Sequence, residues 1–548
     1  MNINSQAHFA VNPTNLDIKR STFDRSSGHS TTFNAGELIP IYVDEVLPGD
    51  TFKMGTSYVA RMNTPIHPTM GNAYIDTYFF FVPSRLVWKH WNEFNGENTT
   101  TAWEQTTEYQ IPQLKSPTGG WKKGTIADYF GIPINVNLEI NALPIKAYTR
   151  IWNDWFRDQN VQDPAYLDID DTTIEGSNGG TYQTDAQKGG KCLPVNKYHD
   201  YFTSCLPEPQ KGPSVLLPLG DTAPVIGTGT MGLESTTTAS GTTLGQQYKM
   251  KQYYTSGYAG LQPAGTDNIG KFNAEIGLSK DPDNSNIIAD LSKATAATIN
   301  ELRQAFQLQR LYERDARGGT RYTEIIKSHF GVTSPDQRQQ RPEYLGGSHK
   351  MIDIMQVLQT SSTDETSPQG NTAAFSYTKQ VDNQWIKSFT EHGYIIGLAC
   401  VRTEHVYQQG LERMWSRKRR FDFYWPALAN IGEQAVLNKE IYAQGNTKDN
   451  EVFGYQEAWA EYRYKPSRVS GALRSTYENS LDVWHYADKY DSLPMLNDTW
   501  MRENKNNIDR TLAVQSSVED QFVADFYFEV ESTRPLPMYS IPGMLDHN

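Results

Sequence analysis

The chain has 548 residues, enough for about two to four ordinary domains or for one domain enlarged by insertions. Hydrophobic residues make up 38% and aromatics 12%, with 31 Tyr, 22 Phe and 12 Trp, so large rings carry the apolar surface, as on a half-wet β surface or an extensive interface. A formal charge of -13 argues against a dedicated nucleic-acid binder but allows a local basic patch. The 3 cysteines, without a CxxC pair, exclude a disulfide framework and a CxxC-type zinc site and fit a reducing compartment.

Residues 1–30 are polar and aperiodic around Lys19, Arg20, Arg25 and SSGHSTT, and are expected to form an extended N-terminal arm ahead of a single domain over 31–548. The start MNINSQAHFAV lacks the basic and apolar regions of a secretory signal. The longest apolar run, YIIGLACV, is too short to span a bilayer, so a soluble protein made in a cytoplasm, with no membrane insertion, is expected. TFKMGTSYVARM alternates Phe52, Met54, Tyr58, Ala60 and Met62 with polar residues, the period of a strand buried on one face. AYIDTYFFFV, which follows, has rings on both faces and predicts an interior strand ended by Pro83.

Helical spacing appears in AYTRIWNDWF (Tyr148, Ile151, Trp152, Trp155), in ATAATINELRQAFQLQRLYERDA (Leu302, Ala305, Phe306) and in RYTEIIKSHFG, which has a Gly331 stop. From about 165 to 290 the chain turns rich in Gly, Thr, Ser and Asn and cannot bury a core alone. It is expected to be an exposed insertion, followed by a helical insertion at about 291–360. GYIIGLACVR is apolar on both faces, with Gly397 allowing a neighbour close approach, and QFVADFYFEVE alternates Phe522, Ala524, Phe526, Phe528 and Val530 with polar residues. Strands at both ends and in the later middle, separated by long non-strand stretches, predict a mainly β protein: one sandwich with large insertions.

Motifs for chemistry are few. The chain has no GxxxxGK[ST], HExxH or GxSxG, and no GxGxxG opening a helix after a strand. DPDNSN starts like a calcium loop at Asp281 and Asp283 but lacks the Gly at the sixth place and the Glu at the twelfth, and is at best a weak metal site. His392 beside Glu391 resembles a placed base, although a structural histidine is the expectation. WSRKRRFDFYW, 415–425, sets Arg417, Lys418, Arg419 and Arg420 between rings. Arg can pair with phosphate, and Trp415, Phe421, Phe423, Tyr424 and Trp425 could stack on bases. The alternative is a charged loop whose cations pair with acidic neighbours.

Five blocks in chain order, AYIDTYFFFVPSRLVWKHWNEFNGE, RPEYLGGS, EHGYIIGLACVR, ERMWSRKRRFDFYWPALANIGEQAV and EAWAEYRYKPSRVSGALR, resemble the major capsid protein family of Microviridae, gokushovirus branch. The resemblance implies an eight-stranded antiparallel jelly-roll with long inserted loops and a few helices. It implies a T=1 icosahedral shell of 60 copies around a circular single-stranded DNA genome, and threefold protrusions built from the polar insertion and exposed for host attachment. It also implies the company of a small basic DNA-binding protein, an internal scaffolding protein, a pilot protein and a host-surface receptor, a glycan among the candidates. The protein would then be a virion component assembled in the host cytoplasm, with no catalysis and no cofactor. Trp88, Trp91, Trp152, Trp155, Trp415 and Trp425 become expected anchors of subunit contacts, and Lys19, Arg20 and Arg25 compete with the 417–420 run for an inward, DNA-facing position. A glycan-binding or glycan-hydrolysing β-sandwich is the competing reading, since rings on a jelly-roll suit sugars.

Overall fold

Nine strands build the sandwich: β1 (Ser21–Asp24), β2 (Ser27–Phe33), β3 (Ile39–Val46), β4 (Thr51–Met62), β5 (Ala73–Pro83), β6 (Glu343–Met351), β7 (Thr378–Ser388), β8 (Gly393–Thr403) and β9 (Phe522–Arg534), of which the sequence patterns predict β4, β5, β8 and β9. The structure is a computed structural model that describes residues 19–99, 107–215, 299–363 and 368–539; within 216–298 it describes only the backbone of six short strands.

One antiparallel sheet runs β1/β2, β9, β4, β7, and the other β6, β5, β8, β3. β1 and β2 keep one register along β9, from Ser21 opposite Arg534 to Phe33 opposite Phe522, and are interrupted only at Arg25 and Ser26. Counted as one, they leave eight strands in two sheets of four. In chain order the first sheet holds the first, eighth, third and sixth, and the second the fifth, fourth, seventh and second. This is the double Greek key of the jelly-roll. Residues 21–33, expected within or just after an extended arm, are therefore sheet. Their Ser and Thr side chains hide a half-buried alternation that only pairing with β9 reveals.

β9 alternates buried and exposed residues along nearly its whole length and packs, with β4, against Ile39, Ile75, Phe79, Ile395 and Val401 of the facing sheet. β5 and β8 are buried on both faces for a different reason. Phe79 and Phe81 enter this inner core, while Phe80, Val82, Ile396, Leu398 and Cys400 enter a second core on the far side, under helix α1 (Leu143–Ile151). The second sheet is thus the middle of three layers, so its strands read as continuous apolar runs. Gly397 is the point of closest approach: a Cβ there would stand 2.7 Å from the Phe79 ring and 2.9 Å from the Cβ of Tyr42.

Two insertions enlarge the sandwich, residues 84–342 between β5 and β6 and residues 404–521 between β8 and β9. Tyr201, Phe202 and Cys205 of the first join Tyr407, Val436, Ile441, Phe453 and Trp500 of the second in a third core. α1 continues into a single π-helical turn, Trp152–Phe156, and α2 (Ile299–Gly318) and α3 (Tyr322–Phe330) form where helical spacing predicts them, α3 closing on a left-handed Gly331. The chain divides into a unit of residues 1–211 and 313–548 and a unit of residues 212–312. Residues 165–211, expected to be part of the exposed insertion, lie in the first unit, where Ala165, Tyr182 and Ala186 are buried in the second core. In the second unit four short strands pair antiparallel in the order Gly260–Pro263, Gln247–Lys251, Leu233–Ser235, Ile276–Leu278, and Ile287–Ala289 pairs with Val225–Gly227. Among the described residues no helix is long and apolar enough to cross a membrane.

Candidate functional site

The cationic run lies on the second insertion, on short 3-10 turns (Arg413–Ser416, Arg420–Asp422, Pro426–Leu428) rather than on a strand or a long helix. Asp422 shapes it. One carboxylate oxygen accepts the backbone N–H groups of Lys418 and Arg419, each at 2.7 Å, which turns the chain back on itself and holds that carboxyl below its ordinary pKa.

The four cations consequently have different fates. Arg417 is largely withdrawn from solvent: its guanidinium donates to Glu461 at 3.0 Å and lies 4.5 Å over the Tyr462 ring. Arg420 stacks 4.7 Å over Trp425, whose indole N–H donates to the Arg420 carbonyl at 3.1 Å. Lys418 and Arg419 are exposed, and their side chains make no ion pair among the described residues. Around them lie exposed rings, Trp415 (64% exposed), Phe421 (70%), Phe423, Tyr424, Trp425, Tyr462 and Tyr464. Trp459 anchors this group. It takes a left-handed conformation, φ 69°, costly for a bulky side chain, which lets its indole N–H reach the Leu428 carbonyl at 2.8 Å and its ring meet Tyr424.

Beside the turn opens a cavity of about 350 Å³, floored by Tyr201, Phe202, Tyr407, Leu411 and Val469. Its buried charges are already neutralised: Arg413 donates to Glu440 at 2.8 Å, and the Tyr201 hydroxyl donates to the same carboxylate at 3.2 Å. At the rim Lys465 (2.6 Å) and Arg468 (3.4 Å) share one acid, Glu412.

The other expected residues lie apart from this surface in the chain's own architecture. Trp88 and Trp152, expected as subunit anchors, are wholly buried inside the chain. Their indole N–H groups donate to Asp171 (2.6 Å) and the Pro194 carbonyl (2.8 Å), so neither has surface to offer a neighbour. Trp91 is half-buried against Trp88 and His392. Trp155 is half-buried among Phe80, Tyr344 and Arg341. Arg25 is bound to the buried Asp44 at 2.5 Å, and Arg20 donates to the Gly49 carbonyl, tying the start of β1 to the body; Lys19 is exposed. His392 meets the edge of Trp91 at 5.5 Å, while its neighbour Glu391 is held by Arg85 at 2.6 Å. Asp281 and Asp283 lie outside the described residues. Among the described residues no cluster of three or more potential metal ligands occurs.

Sequence reasoning missed two polar nodes. In one, Lys197 (3.1 Å) and His405 (3.4 Å) face the buried Asp488, while the other ring nitrogen of His405 stands 3.2 Å from Glu503. Burial by itself would lower the His405 pKa, but the Glu503 and Asp488 carboxylates outweigh it and raise it to about 9. Burial would raise the Asp488 pKa, but Lys197, His405 and Asn507 hold it far below the usual range. In the other, Asp76 receives Arg402 (2.5 Å), His349 (2.5 Å) and Tyr198 (2.7 Å) on the outer side of β5. No local signal marks either node, because the partners come from segments up to hundreds of residues apart.

A jelly-roll enlarged by two large insertions, with exposed rings at the surface of one and a buried Lys197–Asp488 pair joining the two, is an architecture that viral capsid proteins use. Residues 12–544 match the family model described as "Capsid protein (F protein)", and the chain belongs to that family. It is 45% identical over 550 residues (98% of both chains) to "Capsid protein VP1" of Bdellovibrio phage phiMH2K. It is 46% identical over 518 residues (93% of both) to "Capsid protein VP1" of Spiroplasma virus 4, and 41% identical over 583 residues (98% of this chain, 97% of the relative) to that of Chlamydia phage 1. These relatives are gokushoviruses of the Microviridae and are named as structural capsid proteins. The chain is accordingly a virion capsid protein and not an enzyme.

Proposed function

We propose that 60 copies of this chain close into a T=1 icosahedral shell around a circular single-stranded DNA genome, and that the ring-rich turn over 415–425 is a contact between copies. The observation that carries this reading is the exposure of Trp415, Phe421, Phe423, Tyr424 and Trp425 within one short turn of a single chain. Exposed rings clustered in one turn are a liability on a soluble monomer and an asset at an interface, where aromatic residues and Arg are enriched. Lys418 and Arg419 would then reach acidic groups of a neighbour, which a chain of net charge -13 supplies in abundance. Electron microscopy of purified protein tests the assembly: uniform shells of 60 subunits are expected, and a persistent monomer would refute it.

A second reading of the same surface, contact with single-stranded DNA, is favoured by the two unpaired cations beside stackable rings. It predicts packaged DNA whose affinity loses part of its salt dependence when Lys418 and Arg419 are neutralised. Assembly in the host cytoplasm, with a small basic DNA-binding protein, a scaffolding protein and a pilot protein as helpers, belongs to the same proposal. So does attachment to a host receptor through the polar insertion. Deleting residues 227–245 should leave shells intact and abolish attachment; unchanged attachment would count against that role.

A further inference from the structure

We propose that the 350 Å³ cavity beside the cationic turn receives the proline-rich C-terminal segment, residues 536–545, of a second copy of the chain. The proposal rests on the reading of this surface as an inter-subunit contact and names what that contact grips.

Three observations meet here. First, the cavity is lined by rings, Tyr201, Phe202, Tyr407, Trp415, Tyr462 and Tyr464, and its volume falls at the low end of the roughly 300–1,000 Å³ typical of ligand pockets. Aromatic-lined grooves take proline-rich segments well, because such a segment is already extended and loses little entropy on docking. Second, where β9 ends at Arg534 the chain runs on as PLPMYSIPGML. Pro535, Pro537 and Pro542 disfavour helix and interior strand, and among the described residues Leu536 (50%), Met538 (53%) and Tyr539 (83%) are exposed. Extended at about 3.1 Å per residue, the ten residues from 536 to 545 would reach roughly 30 Å.

Third, the charges match. With Arg413 held by Glu440 and Arg417 by Glu461, the inner cavity holds no unpaired charge, and the buried Arg417 Nε, which has no partner among the described residues, can be met by a backbone carbonyl of an extended guest whose Leu, Met, Ile and Pro side chains suit the rings. At the mouth two cations share Glu412, leaving one positive charge in excess, and Asp546 follows directly after the apolar stretch. A nucleotide would also bring negative charge to the rim. It would have to set its polar base edges against a floor of rings that offers a single kind of free donor, the Arg417 Nε, which favours the peptide.

The test uses full-length chains. Tyr539→p-benzoylphenylalanine, and in a second preparation the same photoreactive residue at Leu536, is introduced into an equal mixture of light and heavy-isotope copies. The mixture is assembled into particles and irradiated. Cross-links from 536 or 539 to Trp415, Tyr462, Tyr464 or Val469 are expected, in peptide pairs that mix the two isotopes. Ser467→Trp, which crowds the exposed mouth, should reduce those cross-links at least tenfold. Cross-links confined to single copies, cross-links elsewhere, none at all, or a cavity cross-linked to nucleic acid would each overturn the proposal. A chain ending at Pro535 should keep its unfolding midpoint and lose at least tenfold in particle yield; wild-type yield would overturn it as well. If Trp415 is protected in particles while Tyr539 cross-links elsewhere, the interface reading stands and only the tail proposal falls. If Trp415 stays exposed in particles, the interface reading falls first.

Discussion

β5 and the turn over 415–425 are the two most ring-dense stretches of the chain, and they spend their rings in opposite ways. In β5, Phe79, Phe80 and Phe81 are all buried within one subunit, because a central strand between two packed layers covers both of its faces. In the turn, Trp415, Phe421, Phe423, Tyr424 and Trp425 are interleaved with cations and an aspartate on 3-10 turns. They have no regular face to present to a core, and all five remain exposed. Aromatic content alone therefore says that area will be buried but not by whom. The periodicity around the rings decides whether the chain covers them itself.

Mutations can break this contrast. The largest expected effect is Phe79→Ala in β5, which should cost about 3–5 kcal/mol of stability by denaturant unfolding and prevent assembly only through loss of the folded subunit. Nearly as large is Asp488→Asn or Lys197→Met, expected to cost about 3–5 kcal/mol because each strands a buried charge. The same node sets a pH dependence. His405 is raised in the folded state from an ordinary value of 6.5 to about 9, so its stabilising contribution is complete below about pH 6.5 and is lost as pH rises through 9. Unfolding midpoints measured between pH 6 and 10 should therefore fall more steeply for the native chain than for His405→Gln. Asp488 works in the opposite direction: its contribution is present above the ordinary carboxylate range and is lost only in strong acid.

Trp415→Ser with Phe421→Ser should leave stability within about 0.5 kcal/mol and still abolish shells, the reverse of Phe79→Ala. The smallest effect is expected for Lys418→Ala with Arg419→Ala. The subunit should be unchanged, and particles should dissociate at lower salt than native ones if these cations bridge to acidic neighbours.

These contrasts also show what the sequence could reveal. β4, β5, β8 and β9 were legible because a strand period of two, or a doubly apolar run, survives in the one-dimensional pattern. β1 and β2 were not, since SSGHSTT carries almost no apolar signal and becomes strand only by pairing with a segment some 500 residues away. The cationic turn was legible as a composition, but the fate of each member was not: Arg417 is withdrawn by Glu461, 44 residues on, while Lys418 next to it stays free. Trp88 and Trp152 misled because the count of rings does not distinguish a second, outer core from a subunit contact.

The rings of 415–425 are exposed on the subunit and should be covered in the shell. Hydroxyl-radical footprinting with mass spectrometry, applied to the same protein as free subunit and as assembled particle, measures this residue by residue. Trp415, Phe421 and Phe423 should be labelled strongly in the subunit and protected severalfold in the particle, with Phe79 and Phe80 unlabelled in both. Equal labelling of Trp415 and Phe421 in the two states would contradict the account.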